Sequence, residues 1–265
     1  EWMALVADAV TAIEAGAFAK VVLAREIVVT ANRALHVPTV LRRLRSLYPA
    51  CTVLNAAAPD GRFVAASPEL LISRRGDSVR SHPLAGTIPR SGDPEADRAL
   101  ADGLMASAKD RAEHDLVVRD VESALSPWCE SLDVPDAPSI VSLRNVSHLG
   151  TLVQGRLAGP AAPSALRLAL DLHPTAAVGG TPRDEALDWL RANERLDRGP
   201  YAGPVGWVDA RGDGEWVVGI RSAVISGHQA RLFAGVGVVE GSDPAAELAE
   251  TQFKLQALLA AVVRP

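Results

Sequence analysis

The chain has 265 residues, 48% hydrophobic and 22% charged, which is enough apolar material for a large core. A formal net charge of -5 with no basic run excludes an electrostatic footprint for nucleic acid. The apolar run LQALLAAVV is too short to span a bilayer, no signal-peptide pattern opens the chain, and Cys51 and Cys129 have no paired spacing, so a cytoplasmic protein without a membrane partner is expected.

Residues 2–15 carry an amphipathic helical pattern, and KVVLAREIVVT (20–30) alternates as a strand does. Pro38 to Tyr48 reads as a second helix, with the arginines of LRRLR facing outward. CTVLNAAA and RFVAA, separated by Pro59-Asp60-Gly61, predict a hairpin, and residues 70–87 predict two more strands around Arg75-Gly76-Asp77. From Asp93 to Trp128 the period is helical, one helix and then a longer one. NVSHLGTLVQGRL (145–157) predicts one strand, PAAPSA (160–165) a short connector, and 163–171 and 182–197 helices. Residues 203–239 predict a three-stranded meander with glycine turns. A closing helix runs from Pro244 to about Val263, with Asp243 as its N-cap. Strands in hairpins and helices in separate blocks predict an α+β fold with antiparallel sheets, in one domain over residues 1–265.

Of the 27 Lys and Arg residues, only Lys20, Lys109 and Lys254 are lysines. Arginine stays charged at any working pH, whereas a lysine can be tuned to release a proton, which makes these three positions candidates for chemistry. Codon bias explains an arginine excess equally well.

Several local stretches stand outside the hydrophobic pattern. Glu247, Glu250 and Lys254 follow at spacings of three and four and line one face of the closing helix, which taken alone reads as a solvated charged face. Asp110, Glu113 and Asp120 share one side of the helix over 107–122, and Glu113 reads equally as a partner of Arg111 or Arg119. Glu69 in SPELL (67–71) follows a proline among apolar residues, where a carboxyl is either paired or held protonated as a general acid requires. PLAGT (83–87) puts small residues where another group can approach the backbone. HPTAAVGGTP (173–182), which contains Thr175, is a Gly- and Thr-rich loop suited to cradling a carboxylate. Arg221 interrupts an otherwise alternating strand, and His148 and His173 read singly as core or loop hydrogen-bonders.

Taken in order, SPELL, PLAGT, KDRAEHDLVV, HPTAAVGG, YAGPVGW, IRSA, AGVGVV and AELAETQFK resemble the motifs of the chorismate-utilising enzymes, the isochorismate, salicylate, anthranilate and aminodeoxychorismate synthases. The resemblance runs from Lys20 to Lys254. It implies the fold of anthranilate synthase component I and aminodeoxychorismate synthase: stacked, mostly antiparallel sheets flanked by helices, with a cleft between them. Such enzymes carry a further N-terminal portion that this chain is expected to lack. Chorismate is the implied substrate and Mg2+ the implied cofactor, held by Glu113 and Glu250 with Glu247 and Asp110 beside it. The implied substrate-binding residues are His148, Thr175, Tyr201, Arg221, Gly235 and Lys254. Among them His148 and Lys254 would lie at the ring carboxylate, and Tyr201, Arg221 and the Gly235 N–H at the enolpyruvyl carboxylate.

Lys20 stands where water-using members carry a general-base lysine, and Ala85 where aminodeoxychorismate synthases carry a lysine. The implied activity is therefore an isochorismate synthase, an intramolecular hydroxyl-transferring isomerase. Water activated by Lys20 attacks ring C2, the double bonds shift, and the C4 hydroxyl leaves protonated by Glu69. This demands that Lys20 fall roughly 3 units from 10.4 and that Glu69 rise towards roughly 6 or 7. A salicylate synthase, which also eliminates pyruvate, and an inactive chorismate-binding domain are the alternatives. Siderophore and menaquinone biosynthesis are the pathways such an isomerase feeds. A monomer without a glutaminase partner is expected.

Overall fold

The alternation of KVVLAREIVVT produces the strand β1 (Lys20–Thr30) in the computed structural model, which describes residues 1–159 and 162–263. Residues 160–161 of the expected connector lie outside the described residues. Numbered in chain order, β1 pairs with β15 (Gln229–Val238) from Val21–Val238 to Thr30–Gln229. This ribbon anchors a six-stranded sheet in the order β11 (Gly180–Thr181), β1, β15, β14 (Ser222–Ser226), β3 (Gly61–Ser67) and β2 (Thr52–Ala58). A second six-stranded sheet runs β12 (Pro204–Val208), β13 (Gly214–Val218), β4 (Leu70–Arg75), β5 (Ser78–His82), β10 (Val153–Leu157) and β7 (Cys129–Asp133). A third has β9 (Val146–Gly150) between β6 (Leu84–Pro89) and β8 (Ser139–Ser142). Every strand pairing among the described residues is antiparallel, as the hairpin pattern predicts.

Seven helices clothe these sheets: α1 (Trp2–Glu14), α2 (Val37–Leu47), α3 (Pro94–Ala106), α4 (Ala108–Leu125), α5 (Ala165–Leu172), α6 (Arg183–Asn193) and α7 (Pro244–Val263), counted among the described residues. Asp93, Ser107 and Asp243 begin α3, α4 and α7 as side-chain caps, each accepting a backbone N–H of the first turn. No described helix is long and apolar enough to cross a membrane.

Period-2 alternation sorts the ribbon residues onto two faces. Val21, Leu23, Val236 and Val238 pack under Val6, Ala9 and Ile13 of α1 and Ala186 and Leu190 of α6. Farther along the first sheet, Leu232, Ala234 and Ala223 pack with Val40 and Leu44 of α2 and Leu255 and Leu258 of α7. From the opposite face, Ala24, Phe63, Ala65 and Phe233 meet Leu71, Ile72, Val79 and Val218 of the second sheet, with Leu125 of α4 and Leu168 of α5 closing the core.

The structure departs from the sequence reading in four places. Residues 145–157 form two strands, β9 and β10, which belong to different sheets. The region 203–239 is two hairpins in two sheets, not one three-stranded meander. Residues 70–87 hold three strands, the last of them in the third sheet, and the short β7, β8 and β11 have no counterpart in the reading. Finally, α6 stops at Asn193, which frees residues 194–198 for a different task described below.

Candidate active site

The inner face of the β1–β15 ribbon is where the alternation stops being apolar. Lys20 and Val22 project from β1, and Gly235 and Gly237 lie on β15. A Cβ at Gly237 would stand 2.1 Å from Glu113 Oε1 and 2.6 Å from Lys20 Cε, and one at Gly235 would stand 2.7 Å from the Tyr201 hydroxyl. Any larger residue at either position would fill the space these functional groups occupy. Lys20 is fully buried there, and its Nζ pairs with Glu113 Oε1 of α4 at 2.9 Å.

Glu69 enters the same cavity from the turn between β3 and β4. Burial pushes its carboxyl up to about 7, against the charges of Lys20 and Arg221 and an N–H from Leu84. At neutral pH this carboxyl can therefore act as an acid.

Arg221 sits just before β14 with φ of 49°, almost fully buried and with no carboxylate in salt-bridge reach among the described residues. Its Nη2 lies 2.8 Å from His148 Nε2, and its Nε is buried without a partner. A guanidinium only donates, so His148 Nε2 accepts and its proton resides on Nδ1. Nδ1 faces Thr87 Oγ1 at 3.0 Å and the Gly86 carbonyl at 3.3 Å. Gly86 adopts φ of 74° at the β-bulge in β6, which is the close backbone approach that PLAGT suggests. Burial, then the charges of Arg221 and Lys254, holds the His148 pKa well below the ordinary histidine value. Tyr201 stacks on Phe233 at 5.3 Å, and burial raises its hydroxyl to about 12, so it stays a neutral donor. An unpaired buried cation with a spare N–H beside a tyrosine hydroxyl is a receptor for a carboxylate.

The acidic residues of α4 and α7 do converge. Glu113 and Glu250 line one cavity, while Asp110, Glu247 and Glu250 line its neighbour. Burial is the first cause that raises Asp110 and Glu247; Glu113 and Glu250 raise Asp110 further, and Glu250 raises Glu247. Each glutamate is held by a lysine: Lys20 on Glu113, Lys109 on Glu247 at 2.8 Å, and Lys254 on Glu250. Among the described residues no three potential ligands stand close enough to enclose an ion in this arrangement. The donor set itself is all-oxygen and anionic, which suits a hard divalent cation. The inner cavity measures about 50 Å3, far below the roughly 300 Å3 at which small-molecule sites begin. The neighbouring cavity measures about 330 Å3, and Thr87 and Glu250 line both.

His148, Tyr201, Arg221, Gly235 and Lys254 thus line the cavity together with Lys20, Glu69, Glu113 and Glu250. Thr175 does not line it; its hydroxyl is buried without a partner. The loop around Thr175 spends its N–H groups internally: Val178 and Gly179 donate to the Thr175 carbonyl, and Ala176 donates to Asp120 at 2.8 Å. One carboxylate that this loop receives is thus Asp120 of α4, about two turns beyond Glu113.

The sequence reading missed Thr87 and the pair Glu194–Arg198. Arg198 donates to the carbonyls of Val178 and Val22 at 2.9 and 2.6 Å, and Glu194 accepts the Ala24 N–H at 2.8 Å. These two side chains finish the edge of β1 where β11 has ended, and so hold two cavity-lining backbones together. The helical period running through 182–197 hid them, because i, i+4 Glu–Arg spacing reads as a surface pair.

A family model described as chorismate binding enzyme matches residues 1–263. The salicylate biosynthesis isochorismate synthase of Pseudomonas aeruginosa is 44% identical over 261 residues, covering 97% of this chain and 54% of that protein. This chain therefore spans about half the length of that relative. The structure of MenF, the menaquinone-specific isochorismate synthase of Escherichia coli, superposes with a TM-score of 0.89 at 34% identity, over 98% of this chain and 60% of that one. Anthranilate synthase component I of Streptococcus pneumoniae gives 0.84 at 27% identity, over 97% of this chain and 57% of that one. The stacked-sheet fold expected from the motifs is the fold observed.

Proposed function

Because this chain belongs to the chorismate-binding enzyme family, we propose that it is an isochorismate synthase that uses Mg2+ to convert chorismate into isochorismate. The observation that carries the reading is the burial of Lys20 and Glu69 in one cavity, with Glu69 raised to about 7. Relatives sharing 44% and 34% of its residues are named isochorismate synthases, which supports the same choice.

Lys20, which must first lose the proton it shares with Glu113, then takes a proton from the water that attacks ring C2. Glu69, protonated through burial, gives its proton to the departing C4 oxygen as the double bonds shift. One water is consumed and one released, and the proton passes from Lys20 back to Glu69 through solvent between turnovers. Arg221 and the Tyr201 hydroxyl receive the enolpyruvyl carboxylate, with His148 holding Arg221 in place as a neutral acceptor. Lys254 reaches the ring carboxylate from α7. Magnesium, when bound, supplies a hard positive charge for that carboxylate; Glu113 and Glu250 would hold it, with Asp110 and Glu247 beside it. A substituted ring needs more space than the inner cavity offers, and the larger neighbouring cavity adjoins it at Glu250 and Thr87.

The test is incubation with chorismate and Mg2+ in 18O-labelled water, with products resolved by mass. Isochorismate carrying one labelled oxygen is expected. Salicylate with pyruvate, anthranilate when ammonium is supplied, or unchanged chorismate overturns the reading.

A further inference from the structure

All three lysines of this chain lie in the acidic cluster, one on each of Glu113, Glu247 and Glu250, while none of the 24 arginines pairs with those glutamates among the described residues. The three pairs are not equivalent. Lys20 is 1% exposed and Lys254 is 11% exposed, so neither has a route out, whereas the Lys109 side chain is 40% exposed at the mouth of the outer cavity. Its partner Glu247 is 4% exposed, and the bond between them crosses from α4 to α7. Without a cation beside it, a carboxylate so buried would be costly to keep ionised.

The charges give the cluster a direction. Asp110, Glu113, Glu247 and Glu250 face three ammonium groups, leaving one negative charge in excess. A doubly charged ion would reverse that sign; loss of the Lys20 proton, which the mechanism above requires, and movement of an ammonium into solvent each relieve the excess, and only Lys109 is placed to make that movement. Lysine suits such a part better than arginine, because it is a compact, well-hydrated point charge on a flexible stem and not a planar fork committed to two oxygens.

We propose that Lys109 is an exchangeable internal counter-ion of this site. It holds Glu247 while no divalent cation is bound and moves out into solvent when one binds, leaving Glu247 to face the ion. Lys109 thereby sets the affinity for the metal without touching the substrate. The proposal rests on the magnesium reading above, and the experiment separates the two.

Mg2+ is titrated calorimetrically into the full chain without chorismate, for wild type, Lys109→Met and Lys109→Gln, and melting temperature is recorded with and without saturating Mg2+. Both variants are expected to bind Mg2+ about tenfold more tightly, the weight of one nearby unit charge in a half-wet site. Magnesium-free Lys109→Met should melt below wild type, and saturating Mg2+ should close that gap. Lys109→Gln keeps a hydrogen-bond donor without the charge and gives the affinity result even where the methionine variant folds poorly. Equal or weaker Mg2+ binding by the variants, with wild type binding normally, overturns the counter-ion role and leaves the magnesium reading standing. A melting deficit unchanged by Mg2+ marks a plain structural ion pair and also overturns it. No Mg2+ binding by any of the three proteins overturns the magnesium reading and this proposal with it.

Discussion

The two faces of the β1–β15 ribbon are built from the same two strands and do opposite things. On the outer face, Val21, Leu23, Val236 and Val238 interlock with α1 and α6 in a dry layer of ordinary aliphatic side chains. On the inner face, one residue away along each strand, stand Lys20, Val22, Gly235 and Gly237. At this end of the ribbon the outer face supplies stability through buried area and the inner face gives up that area to make room for charged groups; farther along, Ala24 and Phe233 return the inner face to the core. The contrast teaches that the strand pairing which places Lys20 opposite α4 is secured from the other side of the sheet. The site face can therefore carry glycine and a buried amine without unfolding the ribbon.

The largest effect that tests this division is Lys20→Met. Turnover of chorismate should fall by about 10²- to 10⁴-fold while substrate affinity measured by calorimetry stays within a few-fold. Comparable loss of both would make the lysine a packing residue, and the two faces would not differ in kind. Glu69→Gln should lose turnover on the same scale and gain stability with pH. Because burial raises Glu69, its protonated form belongs to the folded state, so its contribution is fully present below pH 4.5 and disappears as pH rises through about 7. Glutamine stays neutral throughout, so denaturant titrations above pH 8 should find the variant more stable by about 3 kcal/mol. A variant no more stable than wild type there would place the ionised carboxylate in a polar setting. Next in size, Gly237→Ala should displace Glu113 and Lys20 and cost about 100-fold in kcat with little change in melting temperature. The smallest change is on the outer face: Val236→Ala should cost about 2 kcal/mol of stability and leave kcat/KM unaltered. A kinetic defect in that variant would mean the faces are coupled.

Much of this division was legible in the sequence. The alternation of KVVLAREIVVT marked β1, and AGVGVV placed glycines at every second position of its partner. Asp243-Pro244 marked the start of α7 and hence the line of Glu247, Glu250 and Lys254. What escaped was non-local. NVSHLGTLVQGRL alternates straight through Gly150-Thr151-Leu152, so periodicity carries no sign that the chain leaves one sheet for another there. The hairpins of 203–239 look continuous for the same reason, and the positive φ of Arg221 that separates them is a conformation its residue type rarely adopts. β7 and β8 are short, partly exposed strands with little hydrophobic signal. In the site, the rarity of lysine pointed to three positions, but the glutamate each one meets lies on a distant part of the chain or across a helix turn, and only folding pairs them. Thr175 stands outside the cavity lining while Ala177 and Val178 of its loop enter it, and periodicity does not tell an N–H that meets an external anion from one that meets Asp120.

The fixed tautomer of His148 bears on how this protein's rate profile should be interpreted. An inflection near neutrality is habitually assigned to imidazole. Here His82, His114, His148 and His173 are all pushed down by burial, the second and last to about 4, and His36 and His228 are on the exposed periphery. Inside the cleft Glu69, pushed up to about 7, changes charge in that window, so the limb that falls above about 7 would report a carboxylic acid in the guise of a histidine.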